Sequence, residues 1–243
     1  YVELISAQPG LQPQGRIGDL VASGREGWVG FALATTDPQA AVAILRERGL
    51  AVEGPTPGRL DSGDEFSRGW QVVWLDQPPL PGMPFLIRHD TSGAERQRLL
   101  AGTVGAAPHP MGARSIAGIT VAVDDLESAV AAYERCFDLR PAAYDEDAML
   151  AARTAALPLA SGATITLAAP AYAGHGPVAQ ALSQHGGGLF SVTLAVADLA
   201  GAVRELRGRG IGVRVDEPDD ILVAAQLNHR QIHGARLALV AAG

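Results

Sequence analysis

The chain has 243 residues, 26 acidic and 19 basic, for a net charge of −7, and every basic residue is an arginine. The missing lysine excludes Schiff-base chemistry, a pyridoxal phosphate anchor and a phosphate-loop lysine. The single cysteine, Cys136, excludes an internal disulfide, a CxxC redox pair and a Cys-rich zinc site. Net acidity argues against nucleic acid as a partner, and no apolar run is long enough to span a membrane.

In chain order, Tyr1 opens into a strand-like run, Val2-Glu3-Leu4-Ile5, rather than a signal peptide, which makes the cytoplasm the default compartment. Residues 29–33 read as a strand. Asp37 then stands as a helix N-cap, Ala41, Val42 and Leu45 form an apolar stripe, and Gly49 sits at the C-cap. Strand-like runs follow at 71–75 and 84–88. Residues 94–100 read as a short helix, followed by a linker containing His109 and Pro110. The pattern then restarts. Residues 119–123 form a strand, Asp125 a cap, and Leu126, Ala129, Val130 and Tyr133 a stripe at i, i+3, i+4, i+7. Strand-like runs follow at 153–159 and 164–168, and residues 174–188 read as a Gly-rich connection. The third pass has a strand at 192–196, a cap at Asp198, a stripe of Leu199, Ala202, Val203 and Leu206, a C-cap at Gly210, and runs at 221–227 and 236–240.

The first and third passes keep one offset of 161 residues, from Asp37 and Asp198 through Arg48-Gly49 and Arg209-Gly210. An internal repeat overrides other readings of the fold. The unit is β-α-β-β-β with its helix on one face of a small sheet. The fold class is therefore α+β.

A βαβββ unit repeated in pairs resembles the vicinal oxygen chelate superfamily, which includes glyoxalase I, extradiol dioxygenases, methylmalonyl-CoA epimerase and bleomycin-resistance proteins. Residues 185–199 are similar to the entry of an epimerase-type module, and residues 233–240 to its last strand. The order of modules resembles glyoxalase-like domain proteins. The resemblance implies modules paired into half-open barrels: an N-terminal pair over 1–90 with only the last strand of its first module present, a helix and linker over 91–113, and a C-terminal pair over 114–243. It also implies about fifty residues of the first module upstream of Tyr1.

Members of this superfamily generally hold a divalent metal in the cleft, with ligands from the first and last strands of each module. Carried onto this sequence, the C-terminal positions fall on Gly118, Thr166, Ser191 and Ala238. Two have no donor and two are neutral hydroxyls, which hold divalent cations weakly, so the expectation is a degenerate metal site. In the N-terminal pair the resemblance puts Trp28 at the first-strand position and Leu86 at the last, with His89 close by. It makes Glu3 the candidate catalytic carboxylate and metal ligand, for one divalent metal (Zn, Ni, Fe or Mn).

Other candidates come from residue type and spacing. Trp70 and Trp74 share a strand parity and so a sheet face, either as core filler or as a wall for an apolar ligand. Arg59 and Arg88 can clamp an anion or a carbonyl with bidentate donors, or stand as surface arginines. Ser191 joins the ligand-binding candidates. His109, His175, His185, His229 and His233 carry no metal-ligand pattern. The function expected is a glyoxalase-like protein that binds a small molecule, apolar or carbonyl-containing, and that can form a homodimer. The alternative is a metal-dependent lyase, isomerase or dioxygenase with its site in the N-terminal pair.

Overall fold

A computed structural model describes residues 2–3, 18, 22, 24, 26–61, 67–77, 80, 82, 84–96, 98 and 109–243. They form three βαβββ modules. The first has β1 (Ala32–Ala34), α1 (Pro38–Glu47), β2 (Ala51–Asp61), β3 (Ser67–Gln77) and β4 (Phe85–His89). The second has β5 (Ala113–Ala122), α2 (Leu126–Phe137), β6 (Ala143–Asp147), β7 (Ala152–Pro158) and β8 (Thr164–Pro170). An added helix, α3 (Gly176–His185), leads into the third, with β9 (Gly188–Val196), α4 (Leu199–Gly208), β10 (Val213–Asp216), β11 (Ala224–Leu227) and β12 (Arg236–Ala241).

Each module helix begins for the same local reason. The extended residue before it places a carboxylate on the open amides of the first turn. The Asp37 carboxylate accepts from the Ala40 amide at 3.0 Å, Asp125 from Ser128 at 2.7 Å and Asp198 from Gly201 at 2.8 Å. The apolar stripes then turn inward: Leu126, Ala129, Val130 and Tyr133 are buried on α2, and Leu199, Ala202, Val203 and Leu206 on α4. Each large apolar side chain so buried contributes about 1.5–3 kcal/mol. Gly49 and Gly210 end α1 and α4 at φ +81° and +77°, a conformation that favours glycine.

All three sheets repeat one order, with the first strand parallel to the last: β1-β4-β3-β2 in the first module, β5-β8-β7-β6 in the second and β9-β12-β11-β10 in the third. The second and third join through antiparallel β5 and β9 into one eight-stranded sheet. One face of that sheet packs on α2 and α4 through Val121, Leu157, Ile165, Leu167, Val196, Ala225 and Leu239. The other face curls into a half-barrel cup. Its opposite edges approach each other where the Arg214 guanidinium on β10 reaches the Met149 sulfur in the β6–β7 turn at 3.6 Å.

The first module packs on the second. Phe31 and Leu33 lie against the α2 core, while Cys136 of α2 is buried in the α1 core. Arg48, just after α1, donates to the Cys136 carbonyl at 2.9 Å, where the carbonyls at the end of α2 lack helical partners.

Two expectations are corrected. The first strand is shorter and later than residues 29–33, and the Trp28 indole N–H before it donates to the Arg236 carbonyl of β12 at 2.7 Å. Residues 174–188 are not only a connection, because Pro177 starts α3 and Val178 is fully buried beneath it. Of the expected helix at 94–100, residues 94–96 and 98 are described, and they are helical. The expected strand at Tyr1–Ser6 lies outside the described residues except for Val2 and Glu3, which are exposed and irregular.

Candidate functional site

The cup of the eight-stranded sheet collects polar side chains from five adjacent strands. Residues directly opposite one another in neighbouring strands point to the same side of the sheet. Thr120 on β5 is paired with Thr166 on β8 and with Ser191 on β9, and Ser191 with Arg236 on β12. A second row holds Thr164, Gly118, Thr193, Ala238 and Gln226. Parity places both rows opposite the buried face that carries Ile165, Leu167 and Leu239.

Gly118, Thr166, Ser191 and Ala238, the positions at which the resemblance leads one to expect metal ligands, fall in two neighbouring rows of this cup. Their donor chemistry does not fit a divalent cation, which needs several strong oxygen or nitrogen donors. Gly118 and Ala238 offer none. Gly118 is also sterically closed: a Cβ there would lie 2.7 Å from the Thr164 carbonyl oxygen on β8. Among the described residues, no three His, Cys, Asp or Glu side chains come together.

Sequence reasoning missed the most distinctive cup residue. Arg236 opens β12, half-buried, with its guanidinium carbon 4.7 Å from the centroid of the Phe190 ring. Phe190 is buried with Ala122, Ala168 and Val178, so α3 backs one side of this stack. Burial lowers the Arg236 pKa from its usual value. His229 stands beside it, its pKa lowered by burial first and then by the charges of Arg236 and Arg230. At the rim, Arg214 donates to the Gln226 side-chain oxygen at 2.8 Å. The available signal was an arginine at an alternating position in the otherwise apolar run 236–240.

The first module divides the remaining candidates. Trp70 and Trp74 do share a face, since they pair with His89 and Phe85, while Val73 between them is fully buried towards α1. Trp74 stacks on Phe85 with centroids 4.7 Å apart. Trp70 lies across Gly58, where a Cβ would meet the indole nitrogen at 2.2 Å. Arg59 pairs with Gly69 and Arg88 with Gln71, so both lie on the opposite face from the tryptophans. The structure does not assemble these four into one clamp.

The module register also moves the expected ligand positions of the first module. Ala34 precedes Asp37 as Ala122 precedes Asp125, and it pairs with Ile87 as Ala122 pairs with Ala168. Gly30 and Phe85 therefore match Gly118 and Thr166, in place of Trp28 and Leu86. Leu86 is one residue out of phase and is buried towards α1. His89 closes β4, its pKa lowered chiefly by burial. Glu3 is exposed and outside any described strand. The remaining histidines serve loops and helix ends: His175 bonds the Ala173 carbonyl at 2.8 Å, His109 accepts from the Met111 amide, and His233 pairs with Glu26 at 3.3 Å. A groove of about 660 Å³ runs along Gly174, Gly176, Pro177, Ala179, Gln180 and Ser183, but no strand of the cup lines it.

Comparison with known proteins agrees with this architecture. The glyoxalase-like domain model matches residues 1–137, and the glyoxalase/bleomycin resistance protein/dioxygenase superfamily model matches residues 115–224. No curated protein sequence matches the chain. Among solved structures, methylmalonyl-CoA epimerase from Mycobacterium tuberculosis is similar at 20% identity and TM-score 0.50, over 57% of this chain and 94% of that one. A Streptomyces coelicolor methylmalonyl-CoA epimerase variant in complex with 2-nitronate-propionyl-CoA is similar at 21% identity and TM-score 0.47, over 54% and 99%. At these identities the likeness is one of fold. No described helix is long and apolar enough to cross a membrane.

Proposed function

We infer the function from one premise: this chain belongs to the glyoxalase-like domain family, within the vicinal oxygen chelate superfamily. The fold hosts many chemistries, so function must be argued from the site. The reading favoured is a small-molecule-binding protein whose C-terminal cup works without the divalent metal typical of the superfamily. One observation carries it. At Gly118 the Thr164 carbonyl occupies the space a ligand side chain would need, so the position is closed as well as donorless. What remains in the cup is hydrogen-bonding and cationic: the hydroxyls of Thr120, Thr166, Ser191 and Thr193, and the guanidinium of Arg236.

In this reading the module pairs are residues 1–90 and 114–243, with a helix and linker over 91–113 between them and the cup in the second. Trp70, Trp74 and Phe85 pack the first module's own wall, and Ser191 is the ligand-facing residue retained from the sequence candidates. Dimerisation through the free edge of β1 among the described residues belongs to the same proposal.

Equilibrium dialysis of the purified chain against Zn²⁺, Ni²⁺, Fe²⁺ and Mn²⁺ tests the proposal. The expected result is no stoichiometric retention. One metal per chain, lost in Thr166→Ala or Ser191→Ala, would overturn the metal-free cup. One metal lost instead in Glu3→Gln would establish the alternative, a metal-dependent lyase, isomerase or dioxygenase with its site in the N-terminal half.

A further inference from the structure

We propose that the cup is an anion site in which Arg236, held over the Phe190 ring, receives the carboxylate of a ligand with a flat apolar body; this rests on the small-molecule reading above. Burying part of a guanidinium is costly. A guanidinium keeps its charge at any ordinary pH, and partial burial removes water it would otherwise bind. Proteins usually offset that cost with a carboxylate. Here, among the described residues, the Arg236 guanidinium forms no ion pair and no hydrogen bond to another side chain or carbonyl, and it lies over the face of Phe190. A ring face attracts a cation but leaves the N–H fork unsaturated.

The surroundings suit an incoming acid. Ser191 is paired directly with Arg236 across β9 and β12, and Thr120 and Thr166 continue the same row. Their hydroxyls can donate to a second carboxylate oxygen while the fork binds the first. His229 beside the site is neutral or positive, never negative. Towards α3 the site is bounded by the buried apolar cluster of Ala122, Ala168 and Phe190, surroundings that suit a carboxylate carried on a hydrocarbon body rather than a sugar or a phosphate chain.

The structure also supplies a reporter. The Trp28 indole N–H donates to the Arg236 carbonyl, so its amide-type resonance senses movement of that residue. The full chain, labelled with ¹⁵N, is titrated with benzoate and separately with benzamide, which has the same shape without the charge. Benzoate should shift the Trp28 indole and Arg236 guanidinium peaks and bind at least about tenfold more tightly than benzamide, as expected for a charge-assisted hydrogen bond. Arg236→Gln should abolish that preference and Arg236→Lys should keep part of it. The comparison of the two probes on the wild-type chain stands even if a variant folds poorly. Equal binding of benzoate and benzamide, or an unchanged preference in folded Arg236→Gln, overturns the anion site while leaving a metal-free binding cup intact. Absence of binding by either probe also overturns it. Binding of either probe only after a divalent metal is added overturns the metal-free reading instead.

Discussion

Gly118 illustrates how one residue decides between two chemistries. Replacing glycine by alanine in a strand normally stabilises by restricting the unfolded chain, by about 0.4–1 kcal/mol. At Gly118 the added carbon would lie 2.7 Å from a backbone oxygen, which cannot swing away as a side-chain tip can. Gly118→Ala should therefore destabilise by about 1–3 kcal/mol, the range for overpacking, as read by urea unfolding. A neutral or stabilising result would mean that β5 and β8 can separate there, reopening the position to a ligand side chain. That Gly118 and Ala238 carry no donor, and Thr166 and Ser191 only a neutral hydroxyl, was legible in the sequence, because it follows from residue identity alone. The steric closure was not, since it depends on how near β8 approaches β5. Arg236 was passed over for a related reason: its significance lies in having no acidic partner among the described residues, and partners separated by long stretches of chain are invisible to local patterning.

At the scale of elements, the strand-Asp-helix entry of each module was legible because it is governed locally. The N-cap bond spans three residues and the stripe repeats at helical period. The same locality makes the caps testable. Asp198→Ala removes the acceptor for the Gly201 amide and should cost about 1 kcal/mol, measured by thermal or urea unfolding. Asp198→Asn, which keeps an acceptor oxygen, should recover most of the loss. If both variants lose the same amount, the contribution comes from charge at the helix end rather than from the cap bond. The strands that escaped notice were β2, β6 and β10, and they share one structural position. In the order first-last-third-second, the second strand of each module lies at the outer edge of its sheet. Edge strands need little apolar patterning and commonly carry Pro or charge. Glu53-Gly54-Pro55-Thr56-Pro57 in β2 and Tyr144-Asp145-Glu146-Asp147 in β6 give no apolar strand pattern for that reason.

Across the whole molecule, the question is whether three repeats behave as one body. The pairing of the second and third modules through β5 and β9 makes their unfolding inseparable, because the cup is a single sheet. The first module has its own four-stranded sheet, yet its core is not self-contained. Leu33 packs against both the α1 and the α2 cores, Cys136 of α2 is buried in the α1 core, and Arg48 binds the carbonyl at the end of α2. Trp28 further ties residues ahead of β1 to β12. Such shared burial couples stabilities, as contacts within one module would not. The distribution of tryptophan provides the test, since Trp28, Trp70 and Trp74 all belong to the first module while three of the four numbered helices lie beyond it. Tryptophan fluorescence and far-ultraviolet circular dichroism, followed through urea unfolding, should give coincident transitions. Leu33→Ala should move both midpoints down together, by about 2 kcal/mol of stability. A fluorescence transition that precedes the dichroism change would show that the first module opens on its own. The bond from Trp28 to the Arg236 carbonyl would then break before the cup unfolds, and binding in the cup would be independent of the first module.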